Sequence, residues 1–161
     1  MTLEEYINAM PSNKRLDLAI RLTKLALPIW EKYADENKLT YRDTVVGMHH
    51  SVDRNLLKET VGFVEQDFHL KKEERIFFKL KAQFDDPIVA LQDMDWELPD
   101  EIQNIFYSIY NLLEAYCGKS YTSFGDLTIY VSINQAIDAL ETSGRLTVDE
   151  LRGIIYINSD G

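Results

Sequence analysis

Asp85–Cys117 reads DDPIVALQDMDWELPDEIQNIFYSIYNLLEAYC, and this run decides how the chain folds. From Pro99 onward, Ile102, Ile105, Phe106, Ile109, Leu112, Leu113 and Tyr116 recur at spacings of three and four, the period of one helical face. Pro99 suits a first helical turn, where its missing N–H has no intrahelical partner to lose. Asp100 and Glu101 then stand beside the positive end of the helix dipole. Gly118 is placed to end the helix. The spacing therefore predicts a core helix. The part before it, Asp85–Glu101, carries Asp85, Asp86, Asp93, Asp95, Glu97, Asp100 and Glu101, and no Lys or Arg lies between Asp85 and Cys117. An acidic loop holding one Trp, Trp96, thus leads into an apolar helix.

Outward from this run, the same period recurs. Thr2 caps a short helix over 3–9, with Glu4 and Glu5 in its first turn. After Pro11, Ser12 or Asn13 caps a second helix through KRLDLAIRLTKLALPIWEKYADEN. Its inner face is Leu16, Ala19, Ile20, Thr23, Ala26, Leu27, Trp30 and Tyr33, and it is expected to kink at Pro28. Thr40 with Asp43 has capping-box spacing, and Tyr41, Val45, Met48, Val52, Leu56 and Phe63 extend a helical stripe, predicting a third helix to about Phe68. A fourth helix carries Ile76, Phe77, Leu80 and Phe84 inward beside the basic residues Lys71, Lys72, Arg75, Lys79 and Lys81. Asp86 and Pro87 are a cap and first turn for a short fifth helix reaching about Met94.

Beyond the core helix, Ser123 or Asp126 caps a seventh helix with Leu127, Tyr130, Asn134, Ile137 and Leu140 inward. LTIYVSI, 127–133, is rich in β-branched residues, so a strand competes there. Gly144 ends the element. Thr147 with Glu150 is a capping box for a last helix presenting Leu151, Ile154 and Ile155. The pattern predicts a single all-α domain over 1–161, a bundle of about seven or eight mostly antiparallel helices. With 7 Gly and 4 Pro among 161 residues, the chain lacks the turn signals of a many-stranded sandwich or barrel.

Composition narrows the function. The formal net charge is -10, which disfavours nucleic acid and anionic membranes as partners, permits a basic one, and by itself favours solubility. No uncharged apolar run approaches the ~20 residues that cross a bilayer. MTLEEYINAM lacks the basic and apolar regions of a signal peptide, so the expected location is cytoplasmic. Cys117 has no disulfide partner and falls on an apolar face, as a small buried hydrophobe does.

Chemistry finds little support. On a helix, His49 and Asp53 would be one turn apart and could share a metal, but no Glu-x-x-His pair completes such a site short of recruiting His69 or distant acids. Neither a Gly-x-Ser-x-Gly elbow nor a Gly-rich phosphate loop is present. Paired carboxylates work as acid and base only where a cleft separates their pKa values, and an exposed loop supplies no such cleft. The expectation is no catalytic residue, no metal ligand and no cofactor. Trp30 is expected in the core. Trp96 either folds over the helix hairpin or anchors a partner, since Trp is enriched at such contacts. The candidate partner-binding residues are Asp85, Asp86, Asp93, Asp95, Trp96, Glu97, Asp100 and Glu101.

The run LAIRLTKLALPIWEKYADENKLTYRDTVVGMHHSVD, 18–53, resembles the small all-helical immunity proteins of bacterial polymorphic-toxin systems. The likeness lies in a helix ending in a Leu-Pro-aromatic-Glu step, here Leu27, Pro28, Trp30 and Glu31. A polar turn and a second helix opened by a charged pair follow, here at Tyr41, Arg42 and Asp43. It covers roughly the first third of the chain, and the family shares no fixed binding motif that would assign site residues. The resemblance implies a non-catalytic cytoplasmic protein that binds and blocks a cognate toxin domain. An acidic surface would suit a basic toxin, such as a nuclease. A helical adaptor or scaffold is the alternative, ahead of a metal-dependent helical enzyme.

Overall fold

The computed structural model describes residues 2–67, 74–117 and 122–160. Among them the chain forms seven α-helices and one two-stranded hairpin: α1 (Leu3–Ala9), α2 (Ser12–Glu36), β1 (Thr40–Arg42), β2 (His49–Ser51), α3 (Leu56–Asp67), α4 (Glu74–Gln92), α5 (Asp100–Cys117), α6 (Thr122–Thr142) and α7 (Val148–Asp160). The architecture is an all-α multi-helix bundle with a small β appendage.

Local chemistry sets the ends of several helices. At α1 the Glu5 N–H donates to Thr2 Oγ1 at 3.1 Å and the Thr2 N–H donates to Glu5 Oε2 at 2.8 Å. At α7 the Glu150 N–H donates to Thr147 Oγ1 at 3.1 Å and the Thr147 N–H to Glu150 Oε1 at 3.2 Å. Each box satisfies two amides the helix leaves without partners, a cap contributing about 1 kcal/mol. Gly144 closes α6 with φ +73°, the left-handed conformation that a glycine adopts without a Cβ clash.

Several expectations are corrected. The third helix does not start at Thr40. Residues 40–51 form an antiparallel hairpin pairing Thr40 with Ser51, Tyr41 with His50 and Arg42 with His49, and the helix begins only at Leu56. Tyr41, Arg42 and Asp43 therefore lie on a strand and its turn rather than at a helix start. The fourth and fifth helices are one, because Phe77, Leu80, Phe84, Ile88 and Leu91 continue a single buried stripe through Pro87. Burying that stripe outweighs the backbone hydrogen bond that the proline removes. As with α4, α2 continues as one helix across its proline, Pro28. LTIYVSI is helical: Ile137 and Leu140 are buried as expected and Tyr130 packs against the core half-buried, but Asn134 is only half-buried, and Ile129, Ser132, Ile133, Ala136 and Ala139 are buried as well. Residues His69, Lys71, Lys72 and Gly118, and the side chains of Cys117, Ser123, Asp126 and Leu127, lie outside the described residues.

α5 is the centre of the bundle, as its apolar stripe predicts. Ile105, Phe106, Ile109, Leu112 and Leu113 have no exposed surface. Its most extensive neighbour is α6. Small side chains let the two helices approach, and their polar atoms are matched across the seam. Ser108 Oγ donates to the Ser132 carbonyl at 2.7 Å while Ser132 Oγ donates to the Ser108 carbonyl at 2.7 Å. Asn111 Nδ2 donates to Gln135 Oε1 at 2.9 Å nearby. Both serines are buried, so the exchange removes the cost of unpaired hydroxyls in the core.

On its other side α5 meets an aromatic cluster. Phe106 lies with its ring centroid 5.8 Å from Trp30, 5.2 Å from Phe84 and 5.4 Å from Trp96. Trp30 is fully buried as expected, and its indole N–H donates to the Arg54 carbonyl at 3.1 Å. One buried cluster draws side chains from all seven helices and from Tyr41 of the hairpin.

Candidate functional site

The acidic run does not stay together in space. Asp85 and Asp86 are exposed on α4, Asp93 and Glu97 are exposed in the loop after it, and Asp100 is exposed in the first turn of α5. Glu101 turns away into a shallow cleft of about 430 Å³ that Lys32, Tyr33, Glu36 and Arg145 also line. Asp95 is half-buried and tied to the hairpin: Thr44 Oγ1 donates to Asp95 Oδ1 at 2.9 Å, and the Thr44 N–H donates to Oδ2 at 3.4 Å.

Trp96 is not an exposed anchor. It is 5% exposed, stacked on Tyr41 at 5.6 Å and set edge-on to Phe106. The ring takes the position expected of a side chain folded down over the helices, because an indole buries more apolar area there than a loop surface offers.

The hairpin now defines a surface that the helical stripe had hidden. Val45, Val46 and Met48, which the sequence assigns to or beside a buried face, are 89%, 69% and 58% exposed at its tip. Their backbone is held firmly. The Asp43 N–H donates to the Met48 carbonyl at 2.8 Å and the Gly47 N–H to the Asp43 carbonyl at 2.7 Å. The Asp43 carboxylate accepts from the Val45 and Val46 N–H groups at 2.7 and 3.3 Å, an Asx turn. Gly47 has φ +76°, and Arg42 packs beside it. On the facing loop, Met94 is exposed and adopts φ +63°, an uncommon left-handed conformation for a side chain with a Cβ. That conformation closes the end of α4, where the Asp95 N–H donates to the Ala90 carbonyl at 2.8 Å.

Around the base of the hairpin, negative charge converges on Tyr41. Its hydroxyl pKa is raised, first by burial and then by the charges of Asp86, Asp43 and Asp95. The three acids come from the hairpin, α4 and the loop before α5, so only the fold brings them together. His50 stacks on Tyr41 at 5.0 Å, with its Nε2 4.0 Å from Asp43 Oδ2. Because 49–51 is a strand, His49 and Asp53 lack the helical relation expected of them. Among the described residues, no group of three or more His, Cys, Asp or Glu side chains is placed to hold a metal ion. The basic residues after α3 serve packing in part: Lys81 pairs with Glu114 of α5 at 3.4 Å.

Glu114 in turn affects Tyr110. Burial, then the Glu114 charge and hydrogen bond, then the Asp85 charge, push the Tyr110 hydroxyl up to about 12. An unfolded tyrosine ionises near pH 10. The folded state therefore keeps a proton that the unfolded chain gives up. This contribution to stability is complete below pH 10 and is lost as pH rises toward 12. Between those values Tyr110→Phe is expected to lose stability less steeply than the wild type, as read from denaturation midpoints at a series of alkaline pH values. Parallel curves for the two proteins would contradict it.

The described fold and surface define an all-α bundle that presents a hydrogen-bonded, acid-framed β-hairpin. Among the described residues no helix is long and apolar enough to cross a membrane. Neither a protein-family model, nor a curated protein, nor a solved structure matches this chain.

Proposed function

We propose that this chain is a non-catalytic cytoplasmic binding protein that neutralises a cognate, basic toxin domain. The observation that carries this reading is the convergence of Asp43, Asp86 and Asp95 around the hairpin base, on a chain of net charge -10. Like charges held close together repel in the free protein, and a basic partner relieves that repulsion while its approach is accelerated by the field. A toxin domain as the partner comes only from the sequence resemblance of residues 18–53 to immunity proteins, whose expected second helix is a hairpin in this chain.

The test is co-production in cells of this chain with the product of each adjacent gene that is toxic when produced alone. Growth is expected to be restored by the wild type and to be restored less well by Asp86→Lys/Asp95→Lys. Continued toxicity in the presence of the folded wild-type chain would overturn the reading.

A further inference from the structure

We infer that the hairpin tip, Val45, Val46 and Met48, with Met94 on the loop that Asp95 ties to it, is the apolar anchor that enters a recess on a basic protein partner. This inference rests on the binding role proposed above and assigns the contact that holds the complex together.

Three observations converge on the tip. First, its side chains are exposed although they are β-branched or long and apolar, and Val45 and Met94 flank the two ends of the Thr44–Asp95 hydrogen bond. Exposed apolar side chains gathered on one turn among polar groups are the usual mark of a contact surface. Second, the tip is preorganised. The Asp43 Asx turn, the left-handed Gly47 and the Thr44–Asp95 bonds fix its backbone before any partner arrives. A fixed turn loses little conformational entropy on binding, so apolar area buried there is retained as affinity. Third, the charges beside the patch select the occupant. Asp43 forms the turn and Asp95 is bonded to its Thr44, Asp86 acts on Tyr41 at the hairpin base, and Arg42 and His50 are the neighbouring cationic or titratable groups. A second copy of this chain docking tip to tip would bring two such acidic rims together, which like-charge repulsion opposes. A basic partner finds complementary charge at the rim and an apolar projection at the centre.

The two features act on different rates. Acids at the rim act on association and are sensitive to salt, whereas a buried apolar anchor acts on dissociation. The experiment uses the purified full chain and, as probes, the purified products of the genes adjacent to its own. Val46→Ser/Met48→Ser is expected to keep the wild-type thermal midpoint, because both side chains are exposed. It is expected to dissociate about tenfold faster or more, with little change in association rate. Asp86→Asn/Asp95→Asn is expected to associate more slowly at low salt, the difference shrinking as salt rises. A folded Val46→Ser/Met48→Ser with wild-type rates overturns the anchor while leaving the neutralising function standing. Absence of any binding by the wild type overturns the function itself. Light scattering is expected to show a monomer. A dimer that Val46→Ser/Met48→Ser dissociates would make the tip a contact between copies and overturn the proposal.

Discussion

Phe106→Ala is expected to destabilise the fold by about 3–5 kcal/mol, the range for removing a buried aromatic side chain from a packed core. The residue has no exposed surface and is touched by rings from three separate segments: Trp30 of α2, Phe84 of α4 and Trp96 of the loop before α5. None of those neighbours can collapse into the vacated volume without leaving its own partners, so the cavity term is retained. Each aromatic contact adds about 0.5–1.5 kcal/mol beyond area burial. Domains of this kind have total stabilities of about 5–15 kcal/mol, so the loss is a large share of the whole. Chemical denaturation checks it, and a midpoint equal to the wild type would show that the cluster does not join the helices.

Trp96→Ala is expected to cost a similar amount, about 3–5 kcal/mol, in the absence of any partner. The ring is 5% exposed and supports Tyr41, which in turn stacks on His50. Its removal takes away the platform on which the hairpin rests. Amide exchange should therefore accelerate at Val52, whose N–H donates to the Leu39 carbonyl, and at Asp43, whose N–H donates to the Met48 carbonyl. Unchanged exchange at these amides, with an unchanged denaturation midpoint, would place the ring outside the core.

How much of this was legible in the sequence depends on the range over which each signal acts. Capping boxes are local, and Thr2 with Glu5 and Thr147 with Glu150 fold as their spacing predicts. The α5 stripe is long and strongly periodic, and its seven apolar positions all face inward or pack against the core. Residues 40–53 are a different case. Val45, Met48 and Val52 fall at helical spacing by coincidence. The opposing signal was the concentration of Thr, Val, His and Ser around Gly47, all poor helix formers, with a glycine able to take the left-handed position of a turn. Reading 86–87 as a cap failed because a proline signal is local while the apolar stripe on both sides of it is buried. The acidic surface was legible as composition but not as geometry. Asp43 lies far from Asp86 and Asp95 in sequence, and only the hairpin's return onto the loop before α5 brings it to them. Trp96 takes the folded-down position of its two readings, its ring lying under the hairpin, while Val45 comes out of the helical stripe for the same long-range reason, because the hairpin tip projects Val45 and Val46 into solvent.

A core Trp96 and an anchoring tip act on different rates, which a side-by-side measurement separates. Dissociation rates from the adjacent-gene product that the chain binds are to be compared for wild type, Trp96→Phe and Val46→Ser/Met48→Ser, each first verified as folded. Trp96→Phe, which keeps an aromatic ring in the core, is predicted to dissociate at the wild-type rate, while the tip variant dissociates faster. Faster dissociation of Trp96→Phe with a wild-type rate for the tip variant would contradict the account.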